Sequence, residues 1–306
     1  MKLATFERKD GSAAIAAVDT QKGELLDLAR AAPSPEFADM LALIDGGAKA
    51  LDHARNVAAA WPQAASLPLQ GTRLLAPIPL PRQLRDGLMF EEHFLNALKA
   101  SKARDGIERR IPKIWYEQPI YYKANRYSVI GHETHVIWPR YSNAMDYECE
   151  LACVIGRTGK DISPDTAHEY IFGFTIFNDM TARDAQMAEM AAQMGPAKGK
   201  DFDTGNILGP WIVTLDEIGD PHALDMEARI NGVRWGGGNS RDMQHKWPAI
   251  LAHVSNSETL HAGEIICSGT VGTGCGLELG KLLNDGDVIE LEISGIGVLR
   301  NRLVKR

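Results

Sequence analysis

From residue 147 to the C-terminus the chain is cut into short apolar or β-branched runs, at 147 to 155, 171 to 177, 210 to 215, 264 to 268, 287 to 293 and 296 to 304, with Gly, Asp and Asn turns between them. Runs of this length read as strands, because a strand turns alternate side chains to two faces and needs only a few residues to cross a sheet. Helical stretches are few. The spacing predicts one over Thr181 to Met194, rich in Ala, Met and Gln and stopped by Gly195-Pro196, and another over residues 246 to 255. A repeating strand-helix-strand fold needs a helix after each strand, so the pattern predicts an α+β protein, mostly β, with an antiparallel sheet rolled or sandwiched and a few flanking helices.

The N-terminal part reads differently. Residues 2 to 28 are short strands broken by turns at Asp10-Gly11 and Lys22-Gly23, and residues 35 to 60 are Ala/Leu-rich with helical spacing. Pro77, Pro79 and Pro81 alternate through LAPIPLPR and force an extended chain, so residues 70 to 82 are the expected linker. The expected organisation is a small N-terminal α+β domain, residues 1 to 75, ahead of a larger domain, residues 76 to 306.

Composition narrows the function classes. With 306 residues, 44% of them hydrophobic, the chain can bury a core without staples. A formal net charge of −7 repels polyanions, so no nucleic acid is expected as a partner. Cys149, Cys153, Cys267 and Cys275 are too few for a disulfide scaffold and form no CxxC pair, which fits a reducing cytoplasm. The opening MKLATFERKDGSAA places charges where a signal peptide needs apolar residues, and no apolar stretch approaches the ~20 residues of a membrane span, so no membrane association is expected. No GxSxG elbow and no GxxxxGK[ST] loop occurs, and the glycines of GTVGTGCG lack the context of a phosphate cradle. His132 and His135 lie in an extended segment and read as surface histidines.

The sharpest local signal is Asp146-Tyr147-Glu148-Cys149-Glu150-Leu151-Ala152-Cys153-Val154. Alternation puts Glu148 and Glu150 on one face, roughly 7 Å apart at Cβ, opposite an apolar face of Tyr147, Cys149, Leu151 and Cys153. Two carboxylates so placed repel one another unless a cation relieves them; the bland alternative is a solvated strand face. Asp179 ends a second apolar run, Gly173 to Asp179, ahead of Arg183 and Gln186, which helical spacing puts on one face. A turn-rich loop, Gly195 to Asp203, presents Lys198 and Lys200.

Taken together these segments resemble the fumarylacetoacetate hydrolase family, whose core carries a D-x-E-x-E-L strand, a later N-D-x-[ST]-A-R-D-x-Q segment and a G-K-x-F loop. All three occur here in that order, and the likeness runs from about Pro77 to Arg306. The resemblance implies a mixed β-sandwich roll with a small leading domain, and a homodimer. It also implies one Mg²⁺ (or Mn²⁺, with Ca²⁺ also acceptable) held by Glu148, Glu150 and Asp179, with Asp86 as a fourth or water-mediated ligand; oxygen-only ligation suits such hard ions. It casts His93 as the general base and Lys200 as the cation that supports an oxyanion or enolate, with Tyr122, Arg183, Gln186 and Thr270 contacting substrate. The glutamate that should accompany the histidine is sought three residues on, or in the C-terminal strand after a Gly-Asp pair. Asn96 and Val288 stand there, so the sequence offers His93 no carboxylate at either place, with Glu91 and Glu92 near only in sequence. Val271 likewise replaces the proline of the family's T-G-T-P-x-G-V-G loop.

The implied substrate is a small oxo acid. The first expectation is a metal-dependent hydrolase that cleaves a C–C bond of a 2,4-dioxo, acylpyruvate-like or fumarylpyruvate-like acid through a metal-bound enolate, in aromatic-compound catabolism. The same enolate chemistry serves an isomerase or decarboxylase of oxo-dicarboxylic acids, of the oxaloacetate or homoprotocatechuate-pathway type, or a hydratase. Loss of the usual glutamate raises those alternatives, since they need no strong water-activating pair. A non-catalytic metal-binding β-domain is the reading from another class, and retention of both His93 and Lys200 speaks against it.

Overall fold

A computed structural model describes residues 1–306. The runs expected at 147 to 155, 171 to 177 and 210 to 215 form the strands Cys149–Ile155, Ile171–Asp179 and Asn206–Thr214, adjacent in one 11-stranded sheet. Across that sheet come Ser66–Pro68, Glu24–Asp27, Ala13–Asp19 and Lys2–Glu7, then Asn206–Thr214, Ile171–Asp179 and Cys149–Ile155, and last Ile265–Cys267, Leu84–Gly87 and Tyr121–Lys123. Val129–Ile130 pairs in parallel beside Asn206–Thr214. A second sheet of five strands runs Val233–Asn239, Asp225–Ile230, Val288–Ile293, Gly297–Val304 and His135–Ile137. Its first two strands are a hairpin that turns at Asn231-Gly232, both with positive φ, the residue pair a tight primed turn demands. The turn signal stood in the sequence, but the alternation around it, broken by three glycines at 236 to 238, concealed the strands.

The fold is the α+β roll expected, with strands dominating its core. The central sheet is buried on both faces. Leu151 and Cys153 face a core shared with Ala228, Leu291 and Leu299 of the five-stranded sheet, whereas Ala152 and Val154 face one shared with Phe37, Leu43 and Ile44. A fully covered sheet reads as near-continuous apolar runs, which is why these strands stood out.

Lys2 and Leu3 pair with Val213 and Ile212, so the N-terminal strands extend the central sheet. The proline-rich segment lies against the first strand: the Glu7 N–H donates to the Arg73 carbonyl, the Leu75 N–H to the Thr5 carbonyl, and the Thr5 hydroxyl to the Pro77 carbonyl at 2.6 Å.

One element is shorter than the spacing predicts. Thr181–Ala182 pairs as a strand with Met145–Asp146, and the helix spans only Arg183–Met190. The Thr181 hydroxyl donates to the Asp179 carbonyl, and the Arg183 N–H to the Ala144 carbonyl, so these backbones are committed before a helix can begin. The other helix, Trp247–Ser255, lies where expected.

Candidate active site

Four neighbouring strands deliver the site. Cys149 pairs with Asn178 in the antiparallel ladder, so Glu148, just before one strand, and Asp179, at the end of the next, meet at the same edge. Carboxylate oxygens of Glu148, Glu150 and Asp179 lie within 4.8 Å of one another, all buried. Asp86 arrives on Leu84–Gly87, where it pairs with Cys267, and its carboxylate comes equally close to those of Glu150 and Cys267's thiol. The loop after Ile265–Cys267 closes over Glu150: the Gly269 N–H donates to its Oε2 at 2.9 Å and the Thr270 hydroxyl makes a long contact of 3.4 Å to its Oε1. Gly269 has φ +76°, and a Cβ there would stand 2.5 Å from the Gly87 carbonyl oxygen, so this turn requires glycine.

Cations and donors converge on the same acids. The Lys200 ammonium bridges Glu148 and Asp179, at 2.5 Å from the Asp179 oxygen. Arg183 reaches Glu148 Oε1 at 2.7 Å and donates through Nη1 to Gln186 Oε1 at 3.1 Å. Tyr122, expected to contact substrate, donates to Asp179 at 2.8 Å. Thus Asp86, Glu148, Glu150, Asp179, Lys200, Arg183, Gln186, Tyr122 and Thr270 lie close together, and all except Asp179 line one cavity of about 640 Å³ with His93.

Burial pushes the Glu150 and Asp179 carboxyls well above the ordinary carboxylate range, and Asp86 upward too. The repulsion of Asp86 adds to the shift of Glu150. Burial acts on Glu148 in the same direction, but Lys200, Arg183 and His93 outweigh it and hold that group at about 2. Burial works to lower the Lys200 ammonium, but Asp179 and Glu148 outweigh it and raise it above the ordinary lysine range. Two buried oxygens, Asp86 Oδ1 and Asp179 Oδ1, have no hydrogen-bond partner. A cluster with more carboxylates than cations and unpartnered oxygens within it fits a hard divalent cation, which takes oxygen ligands and removes the repulsion.

The carboxylate sought for His93 in vain at positions 96 and 288 is present at a third place. His93 projects from the helix Glu91–Asp105, and its Nδ1 lies 3.2 Å from Glu278 Oε2. Glu278 sits on the short helix Gly276–Leu279, 185 positions further along the chain. Its Oε1 accepts from Asn96 Nδ2 at 3.1 Å and from the Thr273 N–H at 3.0 Å, and its Oε2 from the Cys275 N–H at 3.3 Å. Asn96 is therefore not a lost glutamate but a donor to the actual one. Burial raises the Glu278 carboxyl, yet the bond from His93 prevails and leaves it below its usual value. Glu91 is engaged by the Tyr116 hydroxyl instead, and Val288 lies in the second sheet, its N–H bonded to Asn231. The missed signal was a helix-start pattern, Cys275 followed three residues later by Glu278, in which cysteine stands where Ser or Thr is expected.

Asp146 was also missed as a working residue. It is fully buried, pairs with Arg183 through Nε at 2.8 Å and Nη2 at 2.7 Å, and accepts from the N–H groups of Gly276 and Leu277 at 2.8 and 2.9 Å. One carboxylate thereby ties the arginine beside Glu148 to the helix that carries Glu278. A Cβ on Gly276 would stand 2.6 Å from Asp146 Oδ1, so the close approach needs glycine.

With this geometry in view, the comparisons fall into place. The family model described as fumarylacetoacetate (FAA) hydrolase C-terminal matches residues 84–304. The chain is similar to the mitochondrial oxaloacetate tautomerase Fahd2a of Rattus norvegicus, 33% identical over 267 residues, or 87% of this chain and 79% of that protein. Among solved structures it resembles the fumarylacetoacetate hydrolase of the psychrophile Exiguobacterium antarcticum, with a TM-score of 0.78 and 30% identity across the whole of both chains. It also resembles a maleylpyruvate hydrolase of Sphingobium sp. SYK-6 in complex with manganese(II) and pyruvate, with a TM-score of 0.76 and 25% identity, covering 100% of this chain and 99% of that one.

Proposed function

The chain belongs to the fumarylacetoacetate hydrolase family, and from that premise we propose that it is a tautomerase interconverting the keto and enol forms of a 2-oxo dicarboxylic acid of the oxaloacetate type, with a divalent cation in its site. This shift breaks a C–H bond beside the keto group and forms an O–H bond, and consumes no water. It needs a base, a means of holding negative charge on the keto oxygen, and a dry pocket.

The residues suit the first two of these. Glu278 holds Nδ1 of His93 in the protonated tautomer, which leaves Nε2 free to take the proton from carbon. The Lys200 ammonium stands ready for the charge that develops on the keto oxygen. Glu148, Glu150 and Asp179, with Asp86 beside Glu150, would hold the cation, which when bound polarises the keto group as a Lewis acid. Arg104 and Arg109 also line the cavity and offer cationic groups to a second carboxylate. The observation that carries the proposal is that Asp86, Glu148, Glu150 and Lys200 line one cavity with His93, whose Nδ1 is met by the buried side chain of Glu278. The likeness to an oxaloacetate tautomerase favours proton transfer over the hydrolysis preferred from the sequence.

C–C hydrolysis of an acylpyruvate-type acid is the second reading. It is favoured by the cavity volume, large for a four-carbon acid, and by the pair itself, which suits water activation as well as proton transfer. Enol consumption, followed by ultraviolet absorbance with Mg²⁺, with Mn²⁺ and with EDTA, tests the first reading. Pyruvate release from acylpyruvates by the same preparation tests the second. Oxaloacetate enol decaying no faster than in buffer, while pyruvate is released, would replace the tautomerase reading with the hydrolase one. A cytoplasmic homodimer belongs to the same proposal, and light scattering giving a monomer mass would remove the dimer from it.

A further inference from the structure

Cys275 has no task in the reaction described, yet its thiol lies against both members of the His93–Glu278 pair. Cys275 Sγ is 3.3 Å from Glu278 Oε2 and 4.0 Å from His93 Nδ1, and those two atoms are 3.2 Å apart. We propose that His93, Cys275 and Glu278 form a second ion site, of nitrogen, sulfur and oxygen ligands, that takes Zn²⁺ or a similar thiophilic divalent cation and thereby disables the His93–Glu278 pair.

The argument is geometric and chemical. A point equidistant from three atoms at these separations lies about 2.1 Å from each, against the roughly 2.0–2.3 Å of Zn–N, Zn–O and Zn–S bonds. The spacing of the three atoms thus matches the size of such an ion. The two sites differ in kind: Glu148, Glu150 and Asp179 offer only oxygen, which suits Mg²⁺ or Mn²⁺, whereas the trio offers a thiol and an imidazole, which favour zinc. Of the three, only His93 lines the cavity, so an ion would enter past its imidazole. On binding, the thiol proton passes to solvent and the thiolate becomes the ligand, while the proton on His93 Nδ1 leaves that nitrogen and Nε2 takes one from solvent, so that Nδ1 coordinates as a neutral imidazole. The same ion takes the place of the hydrogen bond between His93 Nδ1 and Glu278, so the carboxylate no longer sets the imidazole for proton transfer.

Binding is read without substrate, so its failure is separable from failure of the proposed reaction. Cobalt(II) serves as the probe, added to the ion-free protein under saturating Mg²⁺, which occupies the all-oxygen site. The expected result is one cobalt per chain with the ultraviolet charge-transfer band of a cobalt–thiolate bond, discharged by Zn²⁺. The band should vanish in Cys275→Ser and weaken in Glu278→Gln, while both variants keep the thermal stabilisation by Mg²⁺ that shows them folded. Cys267, beside Asp86 and Glu150, is the other thiol near the acids, so Cys267→Ser should leave the band intact. Absence of a thiolate band in the unmodified protein overturns the proposal. So does a band lost in Cys267→Ser but kept in Cys275→Ser.

Discussion

Replacing Glu278 by glutamine asks what the carboxylate does for His93 while keeping the shape of the side chain. The pair is buried, with the glutamate side chain fully covered, and the contact is 3.2 Å. At an effective dielectric of about 20, a full charge pair at that distance is worth about 5 kcal/mol. The Asn96, Thr273 and Cys275 donors already share the negative charge of Glu278, so what the carboxylate adds to the transition state of proton transfer is smaller, about 3 kcal/mol, or on the order of a 10²-fold loss in kcat. Glutamine can keep one of those donors through its carbonyl oxygen but must turn its NH₂ toward another, so a modest loss of order in the short helix adds to the effect. Steady-state kinetics on the enol, with Mg²⁺ held saturating, gives the number, and calorimetric titration of Mg²⁺ checks that the ion still binds. The reasoning fails if kcat falls less than about threefold, or if the loss is matched by an equal loss of Mg²⁺ affinity. Asn96→Ala, which removes one donor and leaves the carboxylate, should cost about tenfold at most, and Val288 substitutions that keep the strand should cost nothing measurable.

Glu150→Gln should weaken Mg²⁺ binding by at least about tenfold, seen by titration, because it removes a charged ligand and leaves the fold's apolar contacts intact; unchanged affinity would remove Glu150 from the ligand set. The ion-free chain should become less stable as pH rises from the ordinary carboxylate range toward neutrality, since Glu150, Asp179 and Asp86 have raised folded-state values and their favourable contribution, complete at lower pH, is lost on ionisation. Mg²⁺ should therefore raise Tm more at pH 8 than at pH 5.5; an equal or larger rise at the acidic pH contradicts this. Glu148, held at about 2, acts in the opposite sense: its contribution is present throughout that window and is lost only as pH falls below the ordinary carboxylate range toward about 2. Asp146→Asn leaves the buried Arg183 with half its charge partners and should cost about 3–5 kcal/mol in chemical denaturation; a cost below about 1 kcal/mol would show that Glu148 and Gln186 alone suffice for the arginine.

Short-range chemistry is the part of this protein that was legible in the order of its residues. Alternation along Asp146 to Val154 put Glu148 and Glu150 on one face, and the apolar runs marked the buried strands, because a side chain's facing in a strand depends only on its position within that strand. The recurrence of three motifs in order carried the acid cluster, Lys200, His93 and the family. The tertiary structure alone decided which distant residues meet. Glu278 reaches His93 from 185 positions away, Tyr122 reaches Asp179, and Asp146 binds Arg183 to the helix of Glu278. Thr181 and Ala182, helical by composition, were taken by a strand pairing with Asp146 and Met145. Such meetings depend on sheet order and loop closure, which no local pattern encodes: a carboxylate on a short helix looks the same in sequence whether it faces water or a buried imidazole.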